Sequence, residues 1–237
     1  MPTSERSESP GLALVTGASS GIGRAIAERL LDGGWAVTGL DIQPAALASA
    51  GYQHHCIDLT DVAALDRLAV RLPTPQALVH AAGVLRPGPL GSLVSADADL
   101  MWQLHARAAI RLADHVLPRM AEVGHGRVVL VGSRVAQGLP GRSLYAASKA
   151  ALVALARSWA GEVVSRGVTV NLVSPAATDT PMLNDPERAG TAPKLPPIGR
   201  LIRPGEVAEL VAYLLSDAAA AITGQDIAVC GGSSLPR

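Results

Sequence analysis

The chain has 237 residues, 49% of them hydrophobic and 17% charged, and its 20 basic residues balance 20 acidic ones. That composition excludes a disordered chain and suits one α/β domain with a sizeable core. No basic stripe points to nucleic acid, no run of about 18 apolar residues points to a membrane span, and two cysteines, Cys56 and Cys230, are too few for a disulfide framework, so a cytoplasmic, reducing setting is expected.

Residues 1–10 are polar and have no apolar core of a secretory signal, so a disordered N-terminus is expected, followed by a single domain over 11–237. Leu12 to Val15 reads as a strand buried on both faces. It runs into Thr16-Gly17-Ala18-Ser19-Ser20-Gly21-Ile22-Gly23, and a helical pattern follows from Arg24 to about Asp32. A glycine-rich turn between strand and helix lets the backbone approach a pyrophosphate, which the helix N-terminus then binds. Trp35 to Leu40 reads as a second strand ending at Asp41, where a carboxylate would hold ribose hydroxyls and repel a 2′-phosphate. The neighbours Ser19, Ser20 and Ile42 bring no cation, so NAD is expected as cofactor.

Tyr52 to Ile57 is read as a third strand. The cluster His54, His55, Cys56 and Asp58 would make a poor metal chelate, because adjacent strand residues point to opposite faces, and no metal is expected. A further strand runs through Ala77-Leu78-Val79-His80 to Ala81-Ala82-Gly83. Ser95 to Met120 is mostly helical, and Val128 to Ser133 is again a strand. Tyr145 and Lys149 stand four apart at the start of an apolar helical stretch, which stacks them on one face. An ammonium beside a phenol favours the phenolate, giving a group able to exchange a proton with an alcohol or carbonyl oxygen. Val168 to Val173 forms a sixth strand, residues 183–203 read as a short substrate lid rich in proline, Pro204 starts a helix, and Asp226 to Val229 completes a parallel seven-stranded sheet with helices on both faces, a doubly wound Rossmann domain.

The Thr16-Gly17-x-x-x-Gly21-Ile22-Gly23 loop together with Tyr145-x-x-x-Lys149 resembles the short-chain dehydrogenase/reductase family over about residues 11 to 234. The resemblance implies catalysis by Ser133, Tyr145 and Lys149. It implies cofactor contacts from Gly17, Ser19, Ser20, Gly21, Ile22, Gly23, Asp41, Asp58, Leu59, Ala81, Ala82, Gly83, Tyr145, Lys149, Pro175, Thr178 and Thr180. His80 and Ala81 stand where the family has asparagines, and Ala176 where it has glycine. His105 aligns with a helix asparagine that holds a relay water; a histidine there either titrates in the relay or fills the space as a structural replacement. The helices bearing Leu100, Leu104, Ala108 and Leu112, and Ala151, Leu152, Leu155 and Trp159, are apolar on more than one side. In the family such helices pair across twofold axes, implying a homodimer or homotetramer.

The segments around His80–Gly88, Val173–Thr180 and Ile222–Ile227 resemble the 2,3-dihydro-2,3-dihydroxybenzoate dehydrogenases of siderophore biosynthesis, which oxidise a ring alcohol of a cyclohexadiene carboxylate to the aromatic phenol. Such a substrate calls for a cation, and Arg86, Arg134 and Arg142 are the candidates. Two other substrate classes stay open. One is a dihydro-3-hydroxyanthranilate used in natural-product biosynthesis; the other is a ketone reduced by a carbonyl reductase. A non-catalytic cofactor sensor is a further alternative.

Overall fold

The computed structural model describes residues 11–185 and 194–236. The N-terminal segment 1–10 and the middle of the expected lid lie outside them. Seven parallel strands form one sheet: β1 (Leu12–Thr16), β2 (Ala36–Asp41), β3 (Tyr52–Cys56), β4 (Ala77–His80), β5 (Gly126–Val131), β6 (Val168–Pro175) and β7 (Asp226–Val229). Their spatial order is β3-β2-β1-β4-β5-β6-β7. The chain leaves β1 to one side for β2 and β3, then returns to pair β4 on the other side of β1. That reversal opens a crevice at the carboxyl ends of β1 and β4, where α/β sheets place their ligands.

Alternation along the strands sorts side chains into two cores. Leu14, Leu78, Val128, Leu130, Val170 and Leu172 point to one face and pack with Leu112, Val116, Leu152 and Ala156. Ala13, Val15, Val79, Val129, Val131 and Val173 point to the other and pack with Ile26, Leu30, Val211 and Leu214. The first core is therefore covered by α2 (Val62–Arg71), α4 (Ala108–Val123) and α5 (Ser143–Val163), and the second by α1 (Gly21–Asp32) and α6 (Pro204–Leu215). β4, β5 and β6 are buried along their whole length, as sheet strands covered on both faces must be.

Two boundaries differ from the sequence reading in ways that matter to the site. The helix after the glycine loop begins at Gly21 rather than Arg24, so the last glycines of the loop are its first turn. The long helix expected over 95–120 is divided: α3 (Ser95–Trp102) passes through a π-helical turn, Gln103–Arg107, before α4. Apolar spacing barely distinguishes an α from a π turn over five residues, so the pattern could not disclose it. The turn carries His105.

Candidate active site

A cavity of about 410 Å³ lies over the crevice. Its floor is the glycine loop. Gly17 and Gly21 hold positive φ angles of 69° and 52°, and a Cβ on Gly23 would overlap the Gly17 carbonyl oxygen. Ser20 caps α1 by position but makes no side-chain cap bond, and no acidic residue stands in the first turn. The opening N–H groups of α1 thus face the cavity at Gly21, Ile22 and Gly23 with no side-chain acceptor supplied by the helix, as a binding site for a pyrophosphate requires. At the end of β2, Asp41 lines the same cavity. Its carboxylate accepts the Ser19 N–H and the Gln43 N–H, each at 2.9 Å, which fixes its position relative to the loop. The neighbours of Asp41 are Ile42 and Gln43, both neutral. Ala81, Ala82, Gly83, Pro175, Thr178 and Thr180 complete the lining expected for a dinucleotide. These residues fit such a group.

Ser133, Tyr145 and Lys149 converge on the opposite part of the cavity. Ser133 lies two residues beyond β5, at the start of a short turn, and its Oγ accepts the Val135 N–H at 3.2 Å. Because α5 starts at Ser143, Tyr145 and Lys149 sit one turn apart on the same helix. Lys149 is almost wholly buried, and its Nζ donates to the Val131 carbonyl oxygen at 2.8 Å. Burial pulls its pKa down from 10.5 to about 7. Its charge is therefore available near neutral pH but held at a cost, which an adjoining phenolate would offset.

Two buried histidines brace this region. Thr16 Oγ1 accepts the Ala81 and Ala82 N–H groups, so its own hydrogen is left for His80 Nδ1 at 2.9 Å. His80 Nε2–H in turn donates to the Leu104 carbonyl oxygen at 3.1 Å. His105 Nε2 accepts the Val84 N–H at 3.0 Å, and its Nδ1–H donates to Ser148 Oγ at 2.9 Å. Burial, and then the positive charge of Lys149, lower the His80 pKa to about 3 and hold His105 well below 6.5. Both ring nitrogens of His105 are occupied by these bonds, and burial disfavours its charged form. The side chain is fully buried between Val84 and Ser148.

Other expected contacts lie off the cavity. Asp58 turns its carboxylate to the Thr60 N–H and hydroxyl, and Leu59 is buried in the core beneath α2, so neither lines the site. Ser19 contributes its backbone N–H, while its hydroxyl donates to the Pro44 carbonyl oxygen. Arg86 is held by Asp185 at 3.0 Å and by the Leu85 carbonyl oxygen, away from the lining. Arg134 and Arg142 do line the cavity, as does Lys194 from the far side of the lid segment. Sequence reasoning missed Thr16, Ser148, Lys194 and the apolar wall of Leu85, Val135, Leu139 and Met182. Ser148 could have been found: its spacing of three from Tyr145 puts it on the same side of α5.

A parallel doubly wound sheet, a glycine loop at its switch point and a Ser133–Tyr145–Lys149 constellation define a nicotinamide-dependent oxidoreductase. The chain belongs to the short-chain dehydrogenase/reductase family. A family model described as enoyl-(acyl carrier protein) reductase matches residues 17–234. The 3-oxoacyl-(acyl-carrier-protein) reductase FabG of Escherichia coli (strain K12) is 37% identical over 235 residues, spanning 93% of this chain and 96% of that protein. The cis-4-hydroxycyclohexanecarboxylate dehydrogenase of Sinomonas cyclohexanicum is 39% identical over 238 residues, spanning 93% and 95%. Among solved structures, a short chain dehydrogenase/reductase family protein superposes with a TM-score of 0.86 at 34% identity, covering 94% of this chain and 96% of the other. These relatives carry the family; the finer resemblance to dihydrodihydroxybenzoate dehydrogenases is not among them. No helix of the described residues is long and apolar enough to cross a membrane.

Proposed function

We propose that the protein oxidises a secondary ring alcohol on a cyclic carboxylate, with NAD as the hydride acceptor. The observation that carries this reading is Arg134. It follows Ser133 directly, lines the cavity, and makes no side-chain hydrogen bond or ion pair among the described residues. A guanidinium so placed suits a substrate carboxylate, with the apolar wall of Val84, Leu85, Val135 and Met182 receiving the ring. A relative named for a hydroxycyclohexanecarboxylate supports the same substrate class. Asp41, followed by neutral Ile42 and Gln43, supports NAD over a 2′-phosphorylated cofactor.

In this reading the dinucleotide that the glycine loop, Asp41, Thr178 and Thr180 would hold would supply the acceptor for a hydride from the carbinol carbon. Ser133 holds the alcohol oxygen. Tyr145 removes its proton as phenolate, and the Lys149 ammonium stabilises that phenolate. Where the ring is a cyclohexadiene bearing a second hydroxyl, the ketone formed tautomerises to a phenol. A second reading, reduction of a 3-oxoacyl thioester, is favoured by the likeness to FabG at 37% identity.

The test is a panel of hydroxylated cyclohexane and cyclohexadiene carboxylates with NAD, run beside 3-oxoacyl thioesters with each reduced cofactor, following NADH or NADPH absorbance. The Tyr145→Phe variant serves as the inactive control. Turnover of a ring carboxylate with NAD is the expected result. Turnover confined to thioesters replaces this reading by the second.

A further inference from the structure

The hydrogen bonds around His105 run in one direction only. The Val84 backbone N–H can only donate, and it donates to His105 Nε2 at 3.0 Å. The ring must therefore carry its hydrogen on Nδ1, and it donates to Ser148 Oγ at 2.9 Å. Ser148 then donates to the Tyr145 carbonyl oxygen at 2.9 Å, which can only accept. A chain fixed at both ends by backbone groups has one proton arrangement and carries no proton onward without reversing every member. It also ends on the residue that performs the proton transfer.

The ring touches Tyr145 a second time. The His105 and Tyr145 rings meet edge to face, with centroids 5.5 Å apart and planes at 89°. Gly83 leaves the space this needs, since a Cβ there would lie 3.0 Å from His105 Nε2 and 3.5 Å from Lys149 Nζ. His105 itself is supplied by the π turn, and His80 fastens that turn by donating to the Leu104 carbonyl oxygen. Thr16, Ala81 and Ala82 complete the fastening back to β1 and β4.

From this geometry we infer that His105 and Ser148 form a positioning pair for Tyr145, holding both its backbone and its ring against the cavity through neutral hydrogen bonds. Neither is a catalytic residue; each acts through Tyr145. The inference rests on Tyr145 being the proton-transfer group, and it adds what sets the orientation of that group. The groups facing His105 that could alter its charge are Lys149 on α5 and His80 on β4; with Lys149 cationic and His80 neutral, the neutral ring is favoured.

Two measurements test it. In nitrogen-15 NMR of the whole protein between pH 5.5 and 8, His105 should remain the neutral Nδ1–H tautomer; a ring titrating with a midpoint inside that range overturns the inference, and this readout needs no substrate. In steady-state assays with a substrate identified above, Ser148→Ala and His105→Phe should each lower kcat by about tenfold or more. Cofactor Kd should change less than twofold and the pH dependence of kcat should keep its midpoints. The double variant should lose no more than the worse single variant, because both changes break one chain. A Ser148→Ala enzyme with unchanged kcat, or a His105→Phe enzyme whose pH profile loses a limb, refutes the positioning role. Ser148→Ala removes a single oxygen, so it decides the question even if His105→Phe fails to fold. A parent enzyme inactive on every alcohol and ketone would count against the oxidoreductase reading instead, and the NMR result would still stand.

Discussion

Lys149 Nζ donates to the Val131 carbonyl oxygen from a position almost wholly closed to solvent. Its pKa in the fold is about 7, against 10.5 when exposed. The unfolded chain therefore binds more protons than the folded one between those values, and stability rises with pH across that window. Lys149→Met should remove this slope and, by replacing a desolvated cation with an apolar chain of similar length, raise the melting temperature of the cofactor-free protein at pH 7 while abolishing turnover. Calorimetry from pH 7 to 10 on both proteins checks the sign.

His80 and His105 produce the corresponding effect in acid. Both are neutral when folded, with pKa values lowered to about 3 for His80 and well below 6.5 for His105. Unfolding below pH 6.5 lets each take up a proton, so stability falls as pH drops through the range from 6.5 to about 3. Each contributes about 1.4 kcal/mol per pH unit where the difference is complete. His80→Asn should flatten the pH dependence between pH 4 and 6, measured by urea unfolding, even if it is less stable at pH 7.

Asp41 accepts two backbone N–H groups and faces the cavity. Asp41→Ser should raise the KM for NAD by about tenfold, the loss of a charge-assisted hydrogen bond of roughly 1.5 kcal/mol. It should also narrow any preference over NADP, because the repelling charge is gone. Paired KM measurements with both cofactors test this.

The arginines separate by partner. Arg134→Gln should raise substrate KM by about tenfold with kcat little changed, the signature of a group that binds substrate and transition state alike. Arg86→Gln should leave KM within about twofold, because Arg86 is committed to Asp185. Equal effects from the two would remove the assignment of the carboxylate to Arg134.

Trp102 is nearly half exposed, and Leu104, Leu155 and Trp159 are only partly covered by the chain itself. Association through the end of α3, the π turn and α5 would bury them, so light scattering at micromolar concentration should give a dimer or tetramer. A monomer would show that these side chains tolerate water.

The fold was legible because its signals are local. Strand runs such as Leu12–Val15 and Val128–Val131 alternate between two cores, and the glycine loop and the Tyr145–Lys149 spacing each depend on one short segment. What escaped depends on neighbours remote in the chain. Leu59 follows the edge strand β3 and is buried with residues of α4 and α5 far along the chain, whereas the turn of Asp58 to Thr60, two residues on, is a local signal that the sequence reading passes over. Arg86 and Arg134 look alike in sequence, and only the arrival of Asp185 beside Arg86 distinguishes them. The tautomer of His105 is set by Val84 and Ser148, 21 and 43 residues away.

The π turn at Gln103–Arg107 has a bearing on how this gene can change length. Such a turn holds one residue more than a regular one, so dropping one of the five would let a regular helix run on with α3 and α4 keeping nearly the faces they show now. Met101, fully buried, and Trp102, turned partly to solvent, would keep their directions. A frame-preserving three-base deletion in a regular helix swings one half about its axis; here its cost would be narrower, the loss of the turn that brings His105 to Ser148.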